Sequence, residues 1–421
     1  MVESRMPGFY KKTVGERRRE VVGQAGLSGE EEDCLKSGGL DEKTSDRMIE
    51  NVVGLFSLPL GVATNFLING RDYLIPMATE EPSVVAAASN AAKMARGSGG
   101  FTVESGDQLM IGQIQVVGVD PGEAGEKVLA GEEGLLELAN QQDPVLVKFG
   151  GGARRIEARS IDTKEGPMLV VHVIVDVRDA MGANAVNTMC EALAPEIESL
   201  TGGEAILRII SNYAVERVVK ASALFPAEKL GGDRVVERIL KAYALADADV
   251  HRAVTHNKGI MNGISAVVRA TGNDTRAVEA GCHAYACRDG RYRSLTRHMI
   301  NGDGDLEASI EVPIAVGIIG GATKSHPVAH AALKIMGVKS AGELSGIIAA
   351  VGLAQNLAAL RALSDEGIQK GHMGLHARNI AVMAGAGDEI VDEVARELAE
   401  SGTVRMDKAR EIIKKIKEKS V

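Results

Sequence analysis

The chain contains no tryptophan, and aromatic residues make up only 3% of its 421 positions. Its core must therefore be built from Ala, Val, Ile, Leu and Met, side chains small enough to let helices and strands pack closely as α/β layers. Cysteine is scarce as well. Cys34, Cys190, Cys282 and Cys287 are the only four, and Cys282-His283 with Cys287 lacks the second ligand pair that a zinc site needs. No metal is expected, and the thiols are expected to be reduced and mostly buried. A net charge of −9 removes the basic footprint that nucleic acid demands. The sequence reads as having no apolar stretch near the length of a membrane span, and Met1 to Lys12 has no apolar signal region. These absences point to a cytoplasmic protein with neither membrane nor nucleic acid as a partner. The G-x-G-x-x-G dinucleotide fingerprint is also missing. Gly320-Gly321-Ala322-Thr323-Lys324-Ser325 is not a P-loop, because that motif places glycine where Thr323 and Ile318 stand.

What is present suits two or three domains. Ser28 and Glu31 have capping-box spacing, and Gly38-Gly39 breaks the helical pattern after them. Phe66-Leu67-Ile68 and Tyr73-Leu74-Ile75 flank Asn69-Gly70, a hairpin signal. Pro82 is expected in the first turn of a helix that runs from Val84 to Ala95. From about 107 to 212 the pattern is that of a separate α+β unit: a strand at Gln113–Val117, a helix around Gly134 to Asn140, strands at Ile156–Ile161 and Met168–Val175, and a helix after Asp179. Gly150-Gly151-Gly152 reads as a flexible turn. A strand is expected over Ile310–Gly317 and a helical, Ala/Leu-rich stretch over 340–370. In the basic tail, Lys408 to Lys419, residues Ile412, Ile413 and Ile416 line one face of a surface helix.

Several residues could carry chemistry, although each is ordinary alone. Lys258 sits in a polar run, Thr255-His256-Asn257-Lys258-Gly259, that reads as a surface loop. Asp274 lies in a turn-like group and suits a cap. Glu81 falls at a helix N-terminus, where the dipole favours its charge. His372 and His376 are one helical turn apart but lack the acid of an H-E-x-x-H zinc motif. Together, a lysine, two carboxylates and a histidine make an acid/base set.

The combination of segments is more specific. Glu50-Asn51-Val52-Val53-Gly54, Glu80-Glu81-Pro82-Ser83, Asp179-Ala180-Met181-Gly182-Ala183-Asn184, Thr255 to Asn262, Gly320 to Pro327 and Gly371 to Asn379 occur in this order. In that order they resemble the 3-hydroxy-3-methylglutaryl-CoA (HMG-CoA) reductases over nearly the whole chain, from about 5 to about 410. Ala183 and the run His372-Met373-Gly374-Leu375-His376-Ala377-Arg378-Asn379 resemble the class II form. Gly374 stands where alanine is usual, and Arg378 where eukaryotic class I enzymes carry a regulatory serine.

The resemblance implies a four-electron reduction of (S)-HMG-CoA to mevalonate and CoA with two nicotinamide hydrides. The alternatives are mevalonate catabolism by the reverse reaction, or a redox-inactive homologue that binds CoA thioesters. It implies Lys258 beside the thioester oxygen, Asp274 holding Lys258, Glu81 supplying a proton to the aldehyde, and His372 protonating the departing thiolate; His376 would be structural. It places Asp143, Asp179, Met181, Gly182, Ala183, Asn184 and Asn212 at the nucleotide, and Ser83, Arg252, Asn262 and Lys324 at the hydroxymethylglutaryl group. A carboxylate at Asp143 would accept from a ribose 2′-hydroxyl and repel a 2′-phosphate, so NADH is expected over NADPH, with NADPH still admitted. The fold implied is mixed α+β and α/β. Residues 1–106 and 213–371 form a large helix-centred domain for HMG-CoA binding and dimerisation. Residues 107–212 form an inserted ferredoxin-like cofactor domain, and 372–421 a C-terminal helical flap. The active site would lie at the interface of a homodimer or a larger assembly of dimers.

Overall fold

The computed structural model describes residues 2–365, 377–387 and 389–419. Two sheets organise the chain. The larger has six strands in the order β2-β1-β3-β8-β10-β9. These are β1 (Leu60–Ile68), β2 (Arg71–Ala78), β3 (Phe101–Ser105), β8 (Val218–Phe225), β9 (Thr296–Ile300) and β10 (Leu306–Pro313). The smaller has four antiparallel strands in the order β5-β6-β4-β7: β4 (Leu109–Val117), β5 (Gly152–Thr163), β6 (Gly166–Asp176) and β7 (Glu204–Ser211).

The chain leaves the large sheet after β3 and returns at β8, so the small sheet is an insertion. Its run of β4, helices, β5, β6, helix Ala183–Thr201 and β7 is the ferredoxin-like β-α-β-β-α-β pattern. Its core is separate from that of the large sheet. Met110, Ile114, Val171 and Val173 face Met189, Leu193 and Ile197 of the Ala183–Thr201 helix.

At the centre of the large unit lies the helix Ala341–Ser364, buried along most of its length. By length and mean hydropathy (24 residues, 1.5) it would cross a bilayer, so the expectation of no stretch of span length does not hold. The helix is apolar all round because protein surrounds it: it packs against β3, β8 and β10 and against helices Val84–Arg96 and Val250–Ala270. Its contact with the Val250–Ala270 helix is close because glycines lie between them. A Cβ at Gly263 would sit 2.9 Å from Gln355 Cβ and 3.2 Å from the Val351 carbonyl oxygen. Helix propensity alone would make Gly263→Ala stabilising by up to about 1 kcal/mol. Overpacking reverses the sign, and we expect a net loss of about 1–3 kcal/mol in denaturant unfolding. A gain would show that the helices can separate without cost.

The hairpin forms as expected, with Phe66 opposite Tyr73 and Ile68 opposite Arg71 across Asn69-Gly70. The Ser28–Glu31 capping box is present. Ile412, Ile413 and Ile416 of helix Met406–Lys419 pack against Val394 and Leu398 of helix Val391–Glu400 in a small C-terminal core.

Other expectations need correction. The run Thr255–Gly259 is not a loop but lies inside the helix Val250–Ala270, whose neighbours bury His256 and Asn257. Pro82 precedes the helix, which starts at Val84 after Ser83 as N-cap. Strand β10 stops at Pro313, short of Gly317. Gly150-Gly151-Gly152 is a packed junction, since a Cβ on Gly151 would lie 2.7 Å from the Asp176 carbonyl oxygen. Cys190 and Cys282 are buried and all four thiols are free, but Cys287 is exposed.

Candidate active site

Five of the singled-out residues line one cleft of about 600 Å³: Glu81, Ser83, Arg252, Lys258 and Asn262. Two helices aim them there. Lys258 and Asn262 are one turn apart on the Val250–Ala270 helix and so share a face. Both reach the same carboxylate. Lys258 Nζ lies 2.9 Å from Glu81 Oε2, and Asn262 Nδ2 donates to Glu81 Oε1 at 3.1 Å. Glu81 is thus held at both oxygens, with a cation on one. Ser83 follows in a left-handed conformation at φ +72°, a strained setting for a residue with a side chain. Arg252 stands half-buried one and a half turns before Lys258, and burial lowers its pKa. No acid pairs with it among the described residues, so its guanidinium is available to an anion.

Asp274 is not in this cleft. Its carboxylate caps the helix Thr275–Tyr285 through the Ala277 N–H at 3.1 Å and pairs with Arg276 at 3.4 Å. The expected Asp274–Lys258 contact therefore does not form within one chain. About 18 Å of helix lie between Lys258 and the helix end at Ala270, and Asp274 comes after that end.

Asp274 belongs instead to a second group. Asn273 beside it grips Gly317, accepting from its N–H at 2.8 Å and donating to its oxygen at 3.1 Å. Gly317 in turn lies under the Asp179–Asn184 turn, where a Cβ would come within 2.5 Å of the Met181 nitrogen. The turn is tied down from below by Arg217, which is 2% exposed. Its Nη1 donates to the Ala180 and Met181 carbonyls at 3.2 and 3.4 Å, and its Nη2 to Val316. Burial pushes the Arg217 pKa down to about 10, opposed by the charges of Asp179 and Asp176, so it stays cationic at neutral pH. Asp179 Oδ1 also accepts from the N–H of Ala341, the first residue of the central helix.

The register of the small sheet brings the remaining nucleotide candidates to this end. Leu109 pairs with Asp176 and Ile111 with Ser211, so β6 and β7 finish at the same end of the sheet on either side of β4, the Asp179 turn following β6 and Asn212 following β7. Gly152 also pairs with Asp176, which brings the short helix Pro144–Lys148 alongside. Asp143 caps that helix, accepting from the Leu146 N–H at 2.9 Å through one oxygen. Gly182, at φ +102°, opens the Ala183–Thr201 helix without a side-chain cap, so the first N–H groups of that helix are left for a ligand. His372 lies outside the described residues, as does the Lys324 side chain; Asp365, the last described residue before 377, lines the cleft. The sequence reading missed Arg217 and Asn273. An arginine set with Glu216 between the apolar pairs Ala214-Val215 and Val218-Val219 was the available signal.

Residues 14–377 match the family model for hydroxymethylglutaryl-coenzyme A reductase. The chain belongs to the HMG-CoA reductase family. It is 58% identical to the HMG-CoA reductase of Archaeoglobus fulgidus, over 99% of this chain and 95% of that protein. It is 36% identical to the probable HMG-CoA reductase of Borreliella burgdorferi, over 97% and 95%. Among solved structures, the HMG-CoA reductase of Streptococcus pneumoniae superposes with a TM-score of 0.83 at 42% identity, covering 97% of this chain and 99% of that one. A class II enzyme from the same organism, bound to NADPH in open conformations, gives a TM-score of 0.82 at 44% identity over 85% and 99%. The class II likeness of Asp179–Asn184 agrees with that match, and HMG-CoA reductase chemistry of the mevalonate pathway follows from the family.

Proposed function

We propose that the chain reduces (S)-HMG-CoA to mevalonate and CoA at a site completed by a second copy of itself, with NADH preferred over NADPH. The observation that carries the chemistry is the Glu81–Lys258–Asn262 cluster in a cleft that also holds Arg252. Two reduced nicotinamide nucleotides, bound in turn, would each supply one hydride. Lys258 Nζ would stabilise the negative charge that develops on the thioester oxygen. Arg252, with Ser83, Asn262 and Lys324, would hold the free carboxylate end of the substrate. His372 would protonate the sulfur as the carbon–sulfur bond breaks, and Glu81 would give a proton to the aldehyde oxygen in the second reduction. The uncapped Ala183–Thr201 helix start and the Asp179–Asn184 turn would hold the nucleotide.

The single chain divides these residues into a cleft group and an Asp274–Asp179 group, which supports a homodimer in which each copy supplies one half. A run of residues preceding β1 supports it too. Val53 and Phe56 are essentially bare, Phe56 at 93% exposure, as expected of an arm that covers another subunit. In this assignment 1–106 with 213–371 carries substrate binding and dimerisation, 107–212 the nucleotide, and 372–421 closes over the site, in the cytoplasm.

A spectrophotometric assay with HMG-CoA and each reduced nucleotide tests the reading; absence of oxidation with both would overturn it. NADH preference rests on Asp143, one of whose oxygens is engaged in the cap. The pneumococcal relative was solved with NADPH, so the preference is a property proposed for this chain. Asp143→Ala is expected to shift the NADH/NADPH ratio of kcat/KM toward NADPH by about tenfold, the scale of one charged hydrogen bond. An unchanged ratio would remove Asp143 from the argument. His372→Gln is expected to slow thioester reduction about 10²-fold or more while largely sparing reduction of free mevaldehyde. Equal losses on the two substrates would refute a thiolate-protonating role.

A further inference from the structure

A second cavity, of about 810 Å³, lies on the outer face of the six-stranded sheet and shares no lining residue with the Lys258 cleft. Its floor is a row in register across four strands. Thr102 on β3 pairs with Ser222 on β8, Ser222 with Ser309 on β10, and Ser309 with Arg297 on β9. Directly opposed residues point to the same face, so three hydroxyls lead to one guanidinium over short side chains that leave space above them. The Arg297 guanidinium makes no hydrogen bond or ion pair among the described residues, whereas that of its neighbour Arg293 is held by both oxygens of Asp247, at 3.1 and 2.6 Å.

His298 borders the cavity through its place on β9, but it pairs with Ala308 rather than Ser309, so its ring points to the other face of the sheet, toward the central helix, and is 6% exposed. Its Nε2 lies 3.0 Å from Asn356 Oδ1, the amide orientation being set by the Asn356 Nδ2 contact with His256 at 3.1 Å. An amide oxygen only accepts, so Nε2 carries the proton and Nδ1 is a bare acceptor. That Nδ1 is buried with no hydrogen-bond partner. Glu307, also on the wall, accepts further hydroxyls and disfavours a polyphosphate.

We propose that this cavity binds a small phosphate monoester carrying free hydroxyls, with the phosphate on Arg297 and the hydroxyls over Thr102, Ser222 and Ser309. Isothermal titration calorimetry of the full chain with ribose 5-phosphate, glycerol 3-phosphate and inorganic phosphate tests it. The two esters are expected to bind more tightly than inorganic phosphate. Arg297→Ala is expected to weaken them at least about tenfold, the size of one lost hydrogen bond to a charged group. Ser309→Leu, which fills the floor, is expected to abolish binding. Both variants should keep wild-type turnover of HMG-CoA, since neither residue touches the Lys258 cleft. Three results would overturn the proposal: no binding of either ester up to about 10 mM, equal affinity in wild type and both variants, or a fall in oligomer mass with Arg297→Glu, which would make this face a subunit interface.

Discussion

Lys258→Ala is expected to lower kcat for HMG-CoA by roughly 10²–10³-fold, the loss of about 3–4 kcal/mol typical when one donor to a developing oxyanion is removed. The effect should fall on kcat more than on KM, because the charge Lys258 meets exists fully only in the transition state. The fold should survive. The Lys258 side chain is 60% exposed, and its pairing with Glu81 in a single chain is a surface contact worth at most about 1 kcal/mol. Alanine is also the best helix former, and Lys258 is the ninth residue, well inside, of a 21-residue helix. Circular dichroism with steady-state kinetics checks both halves, and near-normal turnover would sink the mechanism. Lys258→Arg is not expected to restore activity, since a planar fork cannot replace a compact ammonium at the same point.

The second large effect concerns Asp274. Asp274→Asn should keep the helix cap, because asparagine caps as well as aspartate, yet it should be nearly inactive in HMG-CoA reduction. Mixing Lys258→Ala chains with Asp274→Asn chains then separates two arrangements. If each site takes Lys258 from one copy and Asp274 from the other, a mixed dimer has one intact site and one doubly damaged site. Random exchange would restore about a quarter of wild-type activity, because half the dimers are mixed and each has one working site of two. If both residues served one site from the same chain, no mixed dimer would work. Co-expression with two tags and purification of the mixed species makes the difference an all-or-none measurement.

Much of the fold was legible because its signals are local. Asn69-Gly70 between apolar runs predicts a hairpin, and the alternation from 107 to 212 predicts the inserted unit, since turn chemistry and side-chain period depend on neighbours in sequence. The misreadings arose where long-range packing overrides local character. Thr255-His256-Asn257-Lys258 looks like a loop because four polar residues stand together, but His256 and Asn257 are buried by hydrogen bonds to Ser294, Thr296, Arg293 and Asn356, all distant in sequence. The Ala341–Ser364 stretch does not read as a span in sequence because its glycines and alanines dilute the larger apolar residues. Those same small residues let it lie at the centre of the molecule.

The family, the mixed fold class and the identity of the candidate catalytic residues could be read from the sequence alone, because ordered motifs over most of the chain leave little room for coincidence. Only the tertiary structure decided which of those residues meet. It joined Glu81 to Lys258 and Asn262 through side chains 177 and 181 positions apart. It left Asp274 with the Asp179 turn, and it placed Arg217 and Asn273 beneath that turn. The physical reason is distance: motif order carries residue identity, but a rigid helix fixes how far apart two of its neighbours must remain, and no local pattern states that length.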